Sequence, residues 1–288
     1  IHELLNLYRY SNWLQKISGN KKWEKLFADL ILISNYNYKV LFTQRVRDYS
    51  DKALFMVIKG ERYDEYSWTR VSKSVIKYSN SLRTCLMGLP IKDMDVAFLM
   101  ENSIDMAMLD IACLYSGIRN VMIPANSVCA HISFILNQTK VPIVIVSNEK
   151  QLSKIKLVKH ELKYLHKVIL LEGKSIESWV ISFSYFLANG QNTHTGTDDI
   201  KVNDLASIMY TSGTTGDPKG IMFSQMNIIY KRFMRAMALP KISDKDRYLA
   251  FLPLFHTFGR FLELSGSIFW GAEYCFMENP STETMISK

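Results

Sequence analysis

The sequence contains few of the residues that cross-link small domains or interrupt regular structure. Of its 288 residues, only 4 are cysteine, 7 are proline and 13 are glycine. The cysteines, which form no CxxC pair and have no metal-like spacing, are Cys85, Cys113, Cys129 and Cys275. Buried free thiols in a reducing, cytoplasmic compartment are therefore a better interpretation than disulfides or a zinc site. No apolar run reaches the roughly 18 residues that a transmembrane helix needs.

The chain does contain a large apolar fraction and an excess of positive charge. Hydrophobic residues make up 48% of the sequence, which is enough for the large core of a globular protein. Lysine and arginine total 35 against 27 acidic residues, a net charge of +8 at pH 7. Lysines are concentrated between Lys150 and Lys167, a pattern that is typical of a solvated helix face. The alternative is that this positive segment binds acidic lipid head groups, which would give a peripheral membrane contact, or anionic CoA. No nucleic-acid motif is present, so we expect no nucleic-acid partner.

Strand-like and helix-like segments alternate along most of the chain. The expected strands are residues 53–58, a second extended segment that follows a turn at Lys59-Gly60 and runs to Tyr66, and residues 96–100, 120–123, 141–146, 168–171, 205–210 and 220–223. The expected helices are residues 68–86, a helix capped by Asn102 or Ser103 and ending at Gly117, residues 128–137, residues 151–165, and a helix from about Ser224. Residues 1–36 suggest two short helices separated by Ser18-Gly19-Asn20. We expect them to form an N-terminal extension that packs on the rest of the chain. This alternation predicts an α/β fold with mainly parallel sheets flanked by helices.

The most informative stretch is the loop Thr211-Ser-Gly-Thr-Thr-Gly-Asp-Pro-Lys-Gly220 between two expected strands. Its glycines allow positive φ and a close approach of the backbone to a ligand. Successive N–H groups and hydroxyls converge in such a turn, and Lys219 adds a mobile positive charge, which together suit a polyphosphate. An ordinary surface turn is the alternative. The loop is neither a Walker A sequence nor G-x-G-x-x-G.

Residues 210–220 resemble, position by position, the phosphate-loop signature of the adenylate-forming (AMP-binding) superfamily, which includes acyl-CoA synthetases, luciferases and peptide-synthetase adenylation domains. The resemblance extends from about Asn37 to the end of the chain. It is also carried by Tyr66-Ser67-Trp68, by residues 95–99 followed by Asn102, and by Leu252-Pro253-Leu254-Phe255-His256. It implies that residues 37–288 form part of the large N-terminal domain of such an enzyme and that residues 1–36 are a helical extension.

The resemblance implies ATP-dependent activation of a carboxylic acid to acyl-AMP, followed by transfer to CoA, with Mg²⁺ on the phosphates. The residues that would cradle the phosphates are Thr211, Ser212, Gly213, Thr214, Thr215, Gly216 and Lys219. Thr211 or Thr214 could also approach the magnesium ion. His256 would orient the substrate carboxylate, with Phe255 and Phe258 as an apolar wall. The alternative for the two phenylalanines is a core position on a helix starting near Thr257.

Leu-Pro-Leu-x-His followed by Arg260 most resembles the long-chain fatty acyl-CoA synthetase branch. Ligases for aryl or medium-chain acids, and a non-catalytic nucleotide-binding remnant, are the alternatives. The family's later motifs do not occur before Lys288, so we expect a longer protein whose small C-terminal domain is missing here. The Mg²⁺-binding glutamate, ribose-binding aspartate and adenylation lysine are therefore not assigned, and this chain alone is expected to be a poor catalyst.

Overall fold

The computed structural model describes residues 1–11, 20–87, 89, 94–190, 199–211 and 216–277. Its helices are α1 (His2–Tyr10), α2 (Asn20–Ile33), α3 (Tyr38–Tyr49), α4 (Trp68–Met87), α5 (Ile104–Ser116), α6 (Cys129–Thr139), α7 (Glu149–Val158), α8 (Phe183–Ala188), α9 (Gln225–Ala238) and α10 (Ser265–Trp270). Its strands are β1 (Ala53–Lys59), β2 (Arg62–Ser67), β3 (Asp95–Leu99), β4 (Arg119–Met122), β5 (Ile143–Val146), β6 (Lys167–Leu170), β7 (Val180–Ser182), β8 (Leu205–Thr211), β9 (Lys219–Ser224), β10 (Arg247–Leu249) and β11 (Glu273–Met277). A π-helical turn, Phe258–Leu264, precedes α10.

Seven strands of the described part form one sheet in the order β7-β6-β5-β3-β4-β8-β9. Neighbouring strands are parallel except for the antiparallel hairpin of β8 and β9. Every residue of β3 and β5 is buried, as expected for central strands covered by helices on both faces. The predicted α/β fold with mainly parallel strands is confirmed.

A second sheet, of four strands among the described residues, has the order β10-β11-β1-β2. Strand β1 pairs in parallel with β11, with Phe55 opposite Tyr274, and antiparallel with β2. The sequence indicated β1 and β2 but neither β10 nor β11. Strand β10 is only 3 residues long, which is too short for an alternating pattern of apolar and polar residues to be recognised.

The local predictions needed two adjustments. The predicted helix 151–165 is shorter than expected, since α7 ends at Val158 and a single 3₁₀ turn, Lys159–Glu161, follows. Of the two candidate caps of α5, Ser103 is the one used, because its hydroxyl accepts from the backbone N–H of Met106 at 3.1 Å. Asn102 has a different role, described below.

The first two helices pack against α9 and share the main hydrophobic core. Phe27 of α2 is fully buried and stacks on Phe233 of α9, with ring centroids 5.1 Å apart. Leu5 of α1 is buried in the same cluster. The division of the chain at residue 36 stays a prediction. Among the described residues, no helix has the combination of length and hydropathy required to cross a bilayer.

Candidate functional site

A cavity of about 420 Å³ opens where the carboxyl ends of β4 and β8 meet. Its wall is formed by Pro124, Asn126, Ser127, Val128, His131, Ile135, Tyr210, Thr211, Pro218, Phe255 and His256. In open α/β sheets, ligands bind outside the carboxyl ends of the strands, because loops and helix N-termini converge there. The cavity brings together three of the residues that the sequence singled out, namely Thr211, Phe255 and His256.

The predicted phosphate loop connects the two antiparallel strands that border this cavity. Thr211 is the last residue of β8 and Lys219 the first of β9, and the two residues pair across the hairpin. Both side chains are exposed, whereas Pro218 is buried. The strands predicted on each side of the loop are confirmed. Ser212, Gly213, Thr214 and Thr215 lie outside the described residues.

Gly216 has a backbone conformation that favours glycine. Its φ is +105°, in the range that L-residues rarely adopt. A Cβ built there would meet no heavy atom of the described residues within 4 Å. Among those residues, the backbone conformation, and no close packing, is therefore what favours glycine here.

Tyr210 holds the end of β8 against α6. The side chain is buried, and its hydroxyl donates to the Oε1 atom of Gln138. Burial raises the pKa of Tyr210 above its usual value. The phenol therefore stays neutral and keeps its hydrogen bond to Gln138.

Asn102, in the connection between β3 and α5, anchors the segment that carries His256. Its Nδ2 donates to the carbonyl oxygen of Leu252 at 2.8 Å, and its Oδ1 accepts from the backbone N–H of Leu254, also at 2.8 Å. The amide thus pairs with an extended backbone as a neighbouring strand would, and it fixes residues 252–254 against the edge of the sheet. Sequence reasoning noted Asn102 only as a motif residue and possible helix cap.

His256 lies in the turn that follows this anchored segment. The imidazole is exposed and forms part of the cavity wall, and it stacks on Phe258 with ring centroids 5.8 Å apart and planes 7° apart. The backbone N–H of Phe258 donates to Nδ1 of His256 at 3.4 Å, so a neutral ring carries its proton on Nε2. Phe258 itself is 55% exposed and is not among the residues that line this cavity.

The π-helical turn lies unusually close to the His256 segment at Gly259. A Cβ at this position would be 2.5 Å from the carbonyl oxygen of Pro253 and 2.6 Å from that of Leu252. Both atoms belong to the backbone that Asn102 fixes, so neither can move aside easily. Glycine is required at position 259 because the backbone of residues 252–253 leaves no room for a side chain.

We therefore expect Gly259→Ala to displace the His256 segment and to lower the free energy of unfolding by about 1–3 kcal/mol, the usual cost of overpacking. Urea unfolding monitored by circular dichroism measures this change as a lower midpoint at an unchanged slope. A midpoint equal to that of the unmodified chain would contradict the close approach.

Arg260, the next residue, fastens the π-helical turn to the large sheet. It is fully buried, and its guanidinium forms a bidentate pair with Asp110 of α5, through Nε at 2.8 Å and Nη2 at 2.6 Å. Nη1 donates to Ser207 of β8 at 2.6 Å, and Nη2 also donates to Asn120 of β4 at 2.9 Å. The sequence singled out Arg260 through its resemblance to the long-chain branch. In the structure, Arg260 is an anchor that positions the His256 segment.

Within the part of the chain that the structure describes, no group of three or more His, Cys, Asp or Glu side chains is arranged to hold a metal ion. At the loop, Thr211 offers an exposed hydroxyl oxygen. A hydroxyl beside a phosphate loop suits Mg²⁺, which keeps most of its ligands as water and phosphate oxygens.

Comparison with known proteins is consistent with this geometry. Residues 42–287 match the sequence profile of the family described as AMP-binding enzyme. Long chain acyl-CoA synthetase 5 of Arabidopsis thaliana is 30% identical over 233 residues, which cover 74% of this chain and 34% of that protein. A long-chain-fatty-acid–CoA ligase of Rattus norvegicus is 26% identical, covering 76% of this chain and 31% of that protein. The chain thus spans about a third of the length of these curated relatives.

Solved structures share the fold at lower identity. A putative long-chain-fatty-acid CoA ligase from Rhodopseudomonas palustris superimposes with a TM-score of 0.74 at 18% identity, covering 87% of this chain and 60% of that one. The anthranilate CoA ligase AuaEII, solved with anthranoyl-AMP, gives a TM-score of 0.73 at 20% identity and covers 88% of this chain and 46% of that one.

Proposed function

We propose, because the chain belongs to the AMP-binding enzyme family, that it forms the nucleotide and acid sites of an ATP-dependent acid–CoA ligase. The observation that carries this proposal is the cavity at the carboxyl edge of the sheet, which brings the Thr211 end of the phosphate loop and His256 to one opening. In the proposed reaction, a carboxylate oxygen attacks the α-phosphate of ATP, giving acyl-AMP and pyrophosphate. The thiol of CoA then attacks the acyl carbon and releases AMP.

The residues contribute position and charge. Lys219 and the loop N–H groups would neutralise the β- and γ-phosphates as pyrophosphate departs. Ser212, Gly213, Thr214, Thr215 and Gly216 are included in this loop on the strength of the sequence motif. Mg²⁺ would be held by phosphate oxygens with the Thr211 hydroxyl nearby, and it would supply charge neutralisation there.

His256 would orient the substrate carboxylate through its Nε2–H, beside the apolar surface of Phe255. Nδ1 already accepts the N–H of Phe258, so the neutral ring has a donor, and no free acceptor, for the ligand. This favours an orienting role over that of a general base. Phe258 stays a proposed wall residue for the acid.

We propose a long-chain fatty acid as the substrate, supported by the curated relatives and by the Leu252–His256 motif with Arg260. Because the chain spans about a third of the relatives' length, turnover is measured on a form extended to that length. Pyrophosphate release is compared across acetate, octanoate, palmitate, benzoate and amino acids. Preference for palmitate supports the assignment, preference for benzoate or octanoate favours the aryl or medium-chain alternative, and no release with any acid favours a nucleotide-binding remnant.

In the same assay, His256→Ala is expected to lower kcat/KM for the acid about ten- to a hundredfold, the value of one hydrogen bond to a charged group. The affinity for ATP should stay unchanged, because the ring orients the acid and leaves the phosphates to the loop. His160→Ala, which removes a surface imidazole that is 76% exposed, serves as the control. Activity of His256→Ala within twofold of the control would remove His256 from the site.

A further inference from the structure

Two consecutive residues in the connection between β3 and α5 are linked to different parts of the cavity wall. Asn102 bonds to the backbone of residues 252–254, the segment that leads to His256. Glu101 reaches the start of α7 instead, where its carboxylate accepts from the hydroxyl of Ser147 and from Nε2 of Gln151. The connection between β3 and α5 therefore holds two segments that are far apart in the sequence.

Gln151 of α7 extends the contact of Glu101 to the cavity. Its Nε2 lies 2.5 Å from Oε1 of Glu101 and also donates to the carbonyl oxygen of Ala125 at 3.0 Å. Ala125 belongs to the connection between β4 and α6, and the residues on either side of it line the cavity. Glu101 thus holds this part of the wall through one intermediate side chain.

The surroundings of these contacts suit them to fixing a geometry. Gln151 is 1% exposed and the backbone that it binds is at a buried residue, so water does not compete freely for either group. Glu101 and Asn102 are half-buried. A carboxylate that accepts from hydroxyl and amide donors forms charge-assisted hydrogen bonds, which are stronger than neutral ones. The amide of Asn102 binds an N–H and a C=O of one segment, so it fixes that segment at two points.

We infer that Glu101 and Asn102 are positioning residues that set the spacing between the two parts of the wall where the acid is activated. The inference rests on the proposed function, which assigns the acid to this cavity. Neither residue is among those that line the cavity. Asn102 acts through His256, and Glu101 acts through the connection between β4 and α6.

The chain offers a matched control for Asn102. Asn35 makes the same two contacts elsewhere, since its Nδ2 donates to the carbonyl oxygen of Ile200 and its Oδ1 accepts from the N–H of Val202, both at 2.8 Å. None of these three residues lines the cavity. Asn35 also has a φ of +47°, which alanine tolerates less well than asparagine. Asn35→Ala should therefore destabilise the fold at least as much as Asn102→Ala, without displacing His256.

Pyrophosphate release by the extended form separates positioning from stability. Asn102→Ala should lower kcat/KM for palmitate about tenfold, because a small displacement of an orienting group is costly, and should leave KM for Mg-ATP unchanged. In a His256→Ala background it should cause no further loss, because it acts through the missing ring. Glu101→Ala should lower kcat/KM for palmitate about tenfold in both backgrounds. Asn35→Ala should stay within twofold of the unmodified protein.

NMR of the 288-residue chain tests the positioning without turnover. The cavity wall contains two imidazoles, His256 on one part and His131 of α6 on the other, and each reports on its own surroundings. Asn102→Ala should shift the Cε1–H signal of His256, and Glu101→Ala should shift that of His131. Asn35→Ala should move neither signal. The variants His256→Ala and His131→Ala assign the two signals.

An unchanged His256 signal in Asn102→Ala, an unchanged His131 signal in Glu101→Ala, or an equal loss from Asn102→Ala in both backgrounds would overturn the inference. If Asn102→Ala does not fold, Asn102→Asp replaces it, since the aspartate keeps the acceptor for Leu254 and lacks the donor for Leu252. Failure of the proposed function is a separate result, seen as absence of pyrophosphate release from the unmodified extended form. The NMR shifts then still decide whether the two residues hold the wall.

Discussion

Replacing Arg260 by methionine is expected to lower the free energy of unfolding by about 3–5 kcal/mol, the usual cost of breaking a buried ion pair by removing one partner. Asp110 is 3% exposed, so it would be left as a buried charge without its positive partner, although the Asn120 amide would still donate to it. Ser207 and Asn120 would lose their donors at the same time. Urea unfolding gives the change as a shift in midpoint.

Two further variants separate the buried pair from a general effect of charge. Arg247→Met breaks the pair with Glu273, in which Arg247 is 61% exposed, and should cost about 1 kcal/mol or less. The double variant Arg260→Met, Asp110→Leu should recover much of the loss, because no uncompensated charge remains. If Arg260→Met unfolds at the same midpoint as Arg247→Met, the anchoring role of Arg260 is wrong.

Gly216→Val is expected to weaken binding of Mg-ATP to the chain by at least about tenfold. A valine at φ +105° is strained, which costs about 1–3 kcal/mol where the loop cannot relax. Its methyl groups would also enter the space beside Gly216 that no described residue fills, where we propose that the phosphates approach. Calorimetric titration with Mg-ATP measures the change directly.

Gly60→Val is the matched control for backbone strain. Gly60 lies in the hairpin turn of β1 and β2 with φ +57° and, like Gly216, has no heavy atom of the described residues within 4 Å of a built Cβ. It should leave the affinity for Mg-ATP unchanged, while Lys219→Ala should reduce it through loss of charge. Equal affinity of Gly216→Val and the unmodified chain would remove the loop from the nucleotide site.

The sequence predicted the strands of the large sheet except the short edge strand β7, because their signal is local. Short, fully apolar strands such as β5 alternate with helical segments, and this pattern by itself indicates a parallel sheet. The strands on both sides of the phosphate loop were also predictable, because β-rich segments flank a run of glycine and hydroxyl residues. The other half of the second sheet was not predictable, since β1 pairs with β11 from the other end of the chain and no local pattern records that contact.

The sequence predicted the motifs of the candidate site, but it did not predict the side-chain hydrogen bonds that hold those motifs in place. Asn102 and Ser103 are both favoured helix caps, and only the folded chain shows that Asn102 instead holds residues 252–254. Arg232 and Arg260 are indistinguishable as sequence letters, yet one is fully paired and the other is not. That difference arises from tertiary partners, which a single sequence does not reveal.

The fate of the carboxylate oxygen tests acid activation most directly. Palmitate labelled with oxygen-18 in its carboxylate is incubated with Mg-ATP, CoA and the form extended to the relatives' length, and the nucleotide products are analysed by mass spectrometry. Attack on the α-phosphate places a labelled oxygen in the acyl–phosphate bridge, and the CoA thiol then releases it with AMP. We expect AMP that carries one oxygen-18 atom; ADP, or AMP without the label, would contradict adenylation of the acid.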